Sequence, residues 1–256
     1  MQRAGKWRCD FVSSTVATAG SAGATGPAAS VVHGGFVQLV VHPAADRSWF
    51  WAYLVGAELG VISVRDHEVP NGRRPEALTV RADGLWAELV CATPDDHWTI
   101  GLEAFGVRLD DPADGLRGEV GERLAVGLDL EWEEGAVFGE ILLGTDRIEF
   151  DGTGTFVHVA GPAHWSTTPG VEASIGTDGL PTSVAMLRRT GSVPVDVLAV
   201  VAVPFVDGPD PAHLVRVLGR WTDDEAHTVT GWLDLAHAHA HTLGNAVAPR
   251  PAPEQR

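Results

Sequence analysis

The stretch "TVRADGLWAELV", residues 79–90, decides the fold class of this chain. Two short runs with the residue types of β-strands flank the pair Asp83-Gly84. An Asp-Gly pair between such runs favours a tight hairpin turn, because both residues tolerate the backbone angles that the turn requires. We therefore predict two antiparallel strands joined at residues 83–84.

The same pattern continues on both sides of this hairpin. Runs rich in β-branched and aromatic residues are separated by Pro, Gly or Asp turns, and they cover 35–42, 47–56, 59–67, 76–83, 85–93 and 97–109. Residues 127–133, "GLDLEWE", alternate between apolar and acidic side chains, as a half-buried strand does. Residues 210–221 resemble a helix in part, but we predict a strand there. Many antiparallel strands without crossover helices indicate an all-β barrel or sandwich.

Composition limits the partners and the compartment. The chain has 256 residues and 34 acidic against 18 basic side chains, a formal charge of −16 that would repel nucleic acid and anionic lipid. Cys9 and Cys91 are far apart and form no metal-binding motif, which favours a reduced compartment, and we predict a cytoplasmic protein. We expect no signal peptide, no membrane insertion and no metal or nucleotide cofactor.

The order of motifs resembles a known family. The segments "SWFWAYLVG", "VISVRDHEVP", "LTVRADGLWAELVCATPDDHWTIGLEAFGVRLDDP", "LDLEWE" and "GEILLGTDRIEFDGTG" are similar to the lipocalin-like double-barrel family of carotenoid 1,2-hydratases and AttH-like proteins. The resemblance implies two consecutive lipocalin-like (calycin-type) antiparallel β-barrels with a ligand cavity. We place the parts as follows: a leading strand in 1–12, a flexible Gly/Ala/Ser insertion in 13–30, the first barrel in 31–160, a shorter second barrel in 161–244 and a disordered tail in 245–256.

The family motif nearest to a catalytic site is altered here. The family typically has His-Ser-Trp-Gly-Val-Arg-Asp-Trp after "EFDGxG", and the aligned residues are "HVAGPAHW", 158–165. His158, Gly161 and Trp165 match the family pattern. Ala160, Ala163 and His164 replace the first Trp, the Arg and the Asp. The joint loss of the Arg and the Asp avoids an unpaired charge, and His164 retains a group that transfers protons near neutral pH.

Seven residues follow as candidates for the site. We interpret His158 and His164 as an acid/base pair, although a histidine in a barrel wall is often only a structural hydrogen-bonding group. The residues expected to contact the substrate are Trp165, Ala160, Ala163, Glu103 and Trp98. The row His237, His239 and His241 has the spacing of a one-sided strand face, and we favour solvated histidines over a metal site there.

These observations lead to two functional hypotheses. The first is a cofactor-independent cyclase, isomerase or hydratase that acts on a medium-sized hydrophobic molecule, such as a terpenoid or polyketide intermediate of secondary metabolism. The alternative is a non-catalytic carrier of lipids or isoprenoids, because a lipocalin-like cavity also binds without chemistry. The sequence leaves the substrate and the oligomeric state open.

Overall fold

The computed structural model describes residues 4–15, 32–71, 78–93, 96–161, 167–206 and 211–238. These residues contain sixteen strands and two short 3-10 helices, Pro43–Ala45 and Pro112–Leu116. The strands are β1 (Gly5–Ser13), β2 (Gly34–His42), β3 (Arg47–Gly56), β4 (Gly60–Pro70), β5 (Leu78–Ala82), β6 (Leu85–Thr93), β7 (His97–Leu109), β8 (Gly121–Glu133), β9 (Ala136–Leu143), β10 (Asp146–Ala160), β11 (Val171–Ile175), β12 (Pro181–Arg188), β13 (Gly191–Pro194), β14 (Asp196–Val206), β15 (Pro211–Thr222) and β16 (Thr228–Ala238). The prediction of an all-β chain is confirmed.

Two local predictions are also confirmed. The Asp-Gly pair separates β5 from β6, and Gly84 has a φ of +69°, a left-handed value that glycine adopts without steric cost. Residues 210–221 correspond to β15, a strand that pairs on both sides with its neighbours β14 and β16. Tertiary pairing therefore decides the conformation that the local pattern left ambiguous.

The largest sheet is antiparallel and barrel-like. Its ten strands lie in the order β4-β3-β2-β1-β10-β9-β8-β7-β6-β5, and a short additional pairing joins β4 to β7. This pairing consists of Ile62 opposite Arg108 and Ser63 opposite Val107, and it partly closes eight strands into a ring. The hairpin of β5 and β6 continues the sheet alongside the first part of β7.

Alternating side chains fill the inside of this sheet. Leu128, Leu130 and Trp132 of β8 are buried, whereas Asp129 and Glu133 between and after them are exposed, as the alternation predicts. The inward residues of the other ring strands join them in one apolar cluster, which contains Phe11, Leu39, Phe50 and Ile100. The interior therefore consists largely of packed side chains.

The strands after residue 161 form two further layers. β14, β15 and β16 make one three-stranded antiparallel sheet, here called the covering sheet, and β11, β12 and β13 make another. Among the described residues, no strand pairing joins these two sheets into a second closed ring. The region predicted as a second barrel thus contains two separate antiparallel sheets.

The covering sheet packs against the outside of the barrel-like sheet. Phe36, Trp51 and Tyr53 point outward from β2 and β3 and pack with Val201 and Leu214 of the covering sheet. A third apolar cluster lies between the covering sheet and the β11–β13 sheet. The molecule is therefore layered, and the outer wall formed by β1, β2 and β3 is an internal surface.

Several predictions fall wholly or partly outside the described residues. Ser13 ends β1, while residues 16–30 of the predicted insertion and the predicted tail, 245–256, lie outside the described part of the chain. Within that part, no helix has both the length and the apolar character needed to cross a bilayer.

Candidate functional site

A cleft of about 640 Å³ lies where the barrel-like sheet meets the edge of the covering sheet. We call it the interlayer cleft. One wall comes from the outward faces of β1 and β10, and the other comes from residues 167–169 and from β16. Alternation along β1 explains the wall chemistry: Cys9 and Phe11 belong to the interior cluster, so Lys6, Arg8 and Asp10 take the opposite face.

A buried arginine organises the charges of the interlayer cleft. Arg216 of β15 is fully buried, and its guanidinium donates two hydrogen bonds to Asp10, from Nη1 to Oδ1 at 2.8 Å and from Nη2 to Oδ2 at 2.9 Å. Its Nε donates to Asp234 Oδ1 at 2.7 Å. The guanidinium also lies over the ring of Phe36, 4.2 Å from the centroid. Bidentate pairing and stacking together fix its position.

A second arginine completes the charge network from the other side. Arg8 donates from Nη1 to Asp234 Oδ2, and its Nε lies 3.2 Å from Asp10 Oδ2. Each of the two carboxylates therefore contacts both arginines. This network joins β1 of the barrel-like sheet to β15 and β16 of the covering sheet.

The network holds two of its members in their charged forms. Burial favours the neutral form of Asp234, but Arg216 and Arg8 outweigh it and lower the pKa of this carboxyl group. Burial likewise opposes the charge on Arg216, yet Asp10 and Asp234 raise the pKa of its guanidinium. Arg216 and Asp234 thus hold each other in their charged forms.

Lys6 has different electrostatics. Its side chain lines the interlayer cleft and is partly buried. Burial is the largest cause that lowers the pKa of its amine, and the positive charges of Arg8 and Arg216 act in the same direction. Asp234 and Asp10 oppose this shift without cancelling it. The amine of Lys6 therefore loses its proton more readily than that of a lysine in water.

Threonine hydroxyls supply most of the uncharged polar lining. Thr168 accepts a hydrogen bond from the backbone N–H of Asp234 at 2.8 Å, and this bond fixes the cleft wall to β16. Within the described part of the chain, the buried Oγ1 of Thr230 has no hydrogen-bond partner. The other threonines of the lining are Thr153, Thr155 and Thr167. A ligand would find several donors and acceptors here.

Apolar side chains form the remaining surface of the interlayer cleft. Val157, Pro169 and Trp232 line it, and the indole N–H of Trp232 donates to the carbonyl oxygen of Phe11 at 3.2 Å. This hydrogen bond holds the Trp232 ring against β1. A cleft of this volume with a few fixed polar groups beside apolar walls has the composition of a small-molecule site.

Two of the predicted site residues lie at one end of the barrel-like sheet instead. His158 is exposed near the end of β10 and stacks on Trp7, with ring centroids 4.7 Å apart. Trp98 stacks on Phe156, with ring centroids 3.7 Å apart, and packs against the interior cluster. Alternation along β10 places His158 on the same inward face as Phe156. We call this group of four aromatic rings the aromatic rim.

The other predicted site residues are dispersed or undescribed. Ala160 is exposed at the end of β10. Glu103 is exposed on the outward face of β7, beside a hollow of about 310 Å³ that Trp86 and Asp129 also line. Ala163, His164 and Trp165 lie outside the described residues, in the connection from Gly161 to the cleft residue Thr167. His237 belongs to β16, while His239 and His241 are also outside the described residues.

The sequence prediction missed the charge network. One signal of the network was present, because Arg216 interrupts the apolar run "HLVRVLG". The prediction also missed Lys6, which is the sole lysine in the sequence. A charged residue within a buried strand needs a compensating partner, so the position of Arg216 would have indicated a buried acid. Its partners are 206 and 18 positions away, and no local pattern identifies them.

The fold and the site define an all-β protein with a barrel-like sheet and a charged cleft at the edge of a covering sheet. Comparisons of the chain with models of protein families, with curated proteins and with solved structures found no match.

Proposed function

We propose that the chain binds a medium-sized organic molecule in the interlayer cleft and converts it by proton transfer without a cofactor, as an isomerase, cyclase or hydratase. The observation that carries this proposal is the combination of the charge network with Lys6. Asp234 is held in its charged form by Arg216 and Arg8, whereas the lowered pKa of Lys6 makes its amine easier to deprotonate than that of an ordinary lysine. Threonine hydroxyls would orient the polar group of the substrate, and Val157 and Trp232 would contact its apolar part.

The proposal retains the aromatic rim as a second contact region. Residues 162–166, which include His164 and Trp165, connect β10 to Thr167 of the cleft. A substrate longer than the cleft would extend past Val157 toward the end of β10, where His158 lies. His158→Ala therefore tests whether the rim takes part: we expect slower turnover with unchanged binding, and unaltered kinetics would restrict the site to the cleft.

A lipocalin-like architecture belongs to the same proposal. The ring of eight antiparallel neighbours, with sequential strands adjacent from β1 to β4 and from β7 to β10, supports it for the first part of the chain. A second barrel in 161–244 is proposed on the resemblance alone. An experimental structure of the whole chain with a bound ligand would test both, and six C-terminal strands that remain in two open sheets would contradict the second barrel.

A carrier without catalytic activity is the second candidate. The arginine contacts of Asp234 favour it, because they lower the pKa of this carboxyl group and make it a poor proton acceptor. In that case the cleft would only recognise its ligand, and the ligand would be released unchanged.

The test of binding uses a substitution that fills the interlayer cleft. Thr155→Trp places a large ring in the cleft, and Thr99→Trp on the outward face of β7 is the matched control. A panel of terpenoid and polyketide acids, aldehydes, ketones and alcohols is tested by native mass spectrometry. We expect at least one compound to bind to the wild type and to Thr99→Trp, but not to Thr155→Trp. Equal binding to all three proteins would overturn the proposed site.

Product analysis then separates the two candidates. Each bound compound is incubated with wild type and with Lys6→Met, and the extracted small molecules are analysed by chromatography and mass spectrometry. Conversion by the wild type that Lys6→Met lacks supports the enzyme. Stoichiometric binding with full recovery of the unchanged compound supports the carrier.

A further inference from the structure

Lys6 is the sole lysine among the 256 residues, and it lies in the interlayer cleft. The other basic side chains of the sequence are 17 arginines. An arginine would provide positive charge and hydrogen bonds at least as well as a lysine. What a lysine adds is an amine that can lose its proton and act as a nucleophile, since a guanidinium stays protonated in proteins. The position of this one amine in a cleft therefore favours amine chemistry.

We propose that Lys6 forms an imine with the carbonyl carbon of an aldehyde or ketone substrate. This inference rests on the proposed binding of a small molecule in the cleft, and it names the substrate class. The amine nitrogen bonds to the carbonyl carbon, and the carbonyl oxygen leaves as water with the two amine hydrogens. No oxidant or reductant is needed, and hydrolysis reverses the step. The protonated imine withdraws electrons from the neighbouring carbon, which then loses the proton that isomerisation or ring closure moves.

The surroundings of Lys6 suit this step. A lysine becomes nucleophilic at neutral pH when it is desolvated or lies near another cation. Both conditions hold here, because burial and the neighbouring Arg8 and Arg216 lower the pKa of the amine. Asp10 and Asp234 are engaged by those arginines, so they counter the positive charge of Lys6 only in part.

The cleft also offers groups for the carbonyl oxygen. Threonine hydroxyls can donate to that oxygen while the amine attacks, and the buried Oγ1 of Thr230 is unpaired within the described residues. The ring of Trp232 provides an apolar wall for the rest of the substrate. The proposed ligand is thus an aldehyde or ketone with an apolar body.

Because the sequence has a single lysine, any lysine adduct can be assigned to Lys6. The intact protein is treated at pH 7 with 3-phenylpropanal and sodium cyanoborohydride, which reduces an imine to a stable amine. The chain has two aliphatic primary amines, Lys6 and the N-terminal α-amine, so peptide mass mapping assigns every adduct. At pH 7 an ordinary lysine is roughly 300-fold less deprotonated than an α-amine, which sets the expectation for an unperturbed Lys6.

The control is the same chain unfolded in urea. We expect the ratio of Lys6 adduct to α-amine adduct to be at least about tenfold higher in the folded protein than in the unfolded one. Lys6→Arg keeps the positive charge and should lose the Lys6 adduct while the α-amine reacts as before. Equal ratios in the folded and unfolded chains would overturn the inference.

A matched alcohol separates this inference from the proposed binding. 3-Phenylpropanol forms no imine, so any shift that it causes in the melting temperature reports binding alone, with Thr155→Trp as the blocked control. A shift without enhanced Lys6 labelling would leave binding intact and overturn the imine. Enhanced labelling that rises linearly with aldehyde concentration, without any shift, would support the imine and count against a binding cleft. Absence of both effects would overturn both proposals.

Discussion

The buried Arg216 has the most costly position of the charge network, because its side chain is fully buried between two sheets. Arg216→Met would leave Asp10 and Asp234 largely buried with only Arg8 as a partner. Removing one partner of a buried ion pair lowers the free energy of unfolding by about 3–5 kcal/mol, because the remaining charge stays buried without compensation. We expect a loss of this size in the free energy of unfolding, measured by urea denaturation.

An exposed arginine provides the matched control for that prediction. Arg147 donates to Glu140 at 2.6 Å, but both side chains are exposed to solvent. Arg147→Met should therefore change the free energy of unfolding by less than about 1 kcal/mol. The triple variant Arg216→Met, Asp10→Asn, Asp234→Asn should recover part of the loss from Arg216→Met alone. Equal effects of the two single substitutions would show that the buried network is not needed for stability.

His67 makes stability depend on pH. Its Nε2 accepts a hydrogen bond from the indole N–H of Trp51 at 2.6 Å. Burial, aided by Arg65 and Arg47 and opposed by Glu68, lowers its pKa from 6.5 to about 4. Because the pKa of His67 is lower in the folded protein than in the unfolded chain, the unfolded state binds more protons between about pH 4 and pH 6.5. The contribution of His67 is therefore complete above about pH 6.5 and is lost as the pH falls toward 4.

The corresponding variant is His67→Gln, which retains an acceptor for Trp51. Between pH 7 and pH 5 the wild type should lose on the order of 2 kcal/mol more unfolding free energy than the variant does. Urea titrations at the two pH values measure this difference. Identical losses in both proteins would contradict the role of His67.

Single strands follow from local patterns, but their partners do not. The observed bounds of β2, β3 and β6 agree closely with the predicted runs 35–42, 47–56 and 85–93. Alternation tells which face of a strand is buried, yet it does not say which strand lies beside it. β1, the first strand of the chain, pairs with β10, the last strand of the ring in sequence, and Gly5 lies opposite Ala160. That pairing forms one wall of the interlayer cleft, and no local sequence pattern predicts it.

Gly154 tests the pairing of β1 with β10. It lies on β10 opposite Phe11, and a Cβ at this position would overlap the backbone carbonyl oxygen of Asp10. Because a backbone atom cannot move aside without breaking the pairing, Gly154→Ala should lower the free energy of unfolding by about 3 kcal/mol. Thermal and urea denaturation would measure the loss.

Gly101→Ala on the outward face of β7 is the control for this strand pair. Its added Cβ would meet only ring carbons of Trp86 at 3.0 Å, and a partly exposed side chain can shift. We expect a change within about 1 kcal/mol. If Gly154→Ala were as mild as this control, the close approach of β1 and β10 would not limit stability.

At the scale of the whole molecule, the site depends on how the layers pack. Lys6 and Asp10 come from the first strand, whereas Arg216 and Asp234 come from the covering sheet. The sequence predicted an all-β chain because strand signals are local. The motif around His158 led to a predicted site there. The charge network was not predicted, because it forms only when distant strands pack together. The sequence did contain the isolated Arg216, which is the signal that a search for buried charge compensation would use.

The barrel-like sheet and the covering sheet should unfold as one cooperative unit. Trp51 and Tyr53 are fully buried by this contact, and the bonds of Arg216 to Asp10 cross it as well. Separation of the layers would expose this apolar wall to water and leave buried charges unpaired. Both changes cost free energy, so an intermediate with only one layer folded should not accumulate. We expect urea transitions followed by tryptophan fluorescence and by far-ultraviolet circular dichroism to coincide in the wild type. Arg216→Met weakens the contact and should separate the two curves, while Arg147→Met should leave them superimposed. Two resolved transitions in the wild type would mean that each layer is stable on its own. The interlayer cleft would then lie between two layers that can separate while they remain folded.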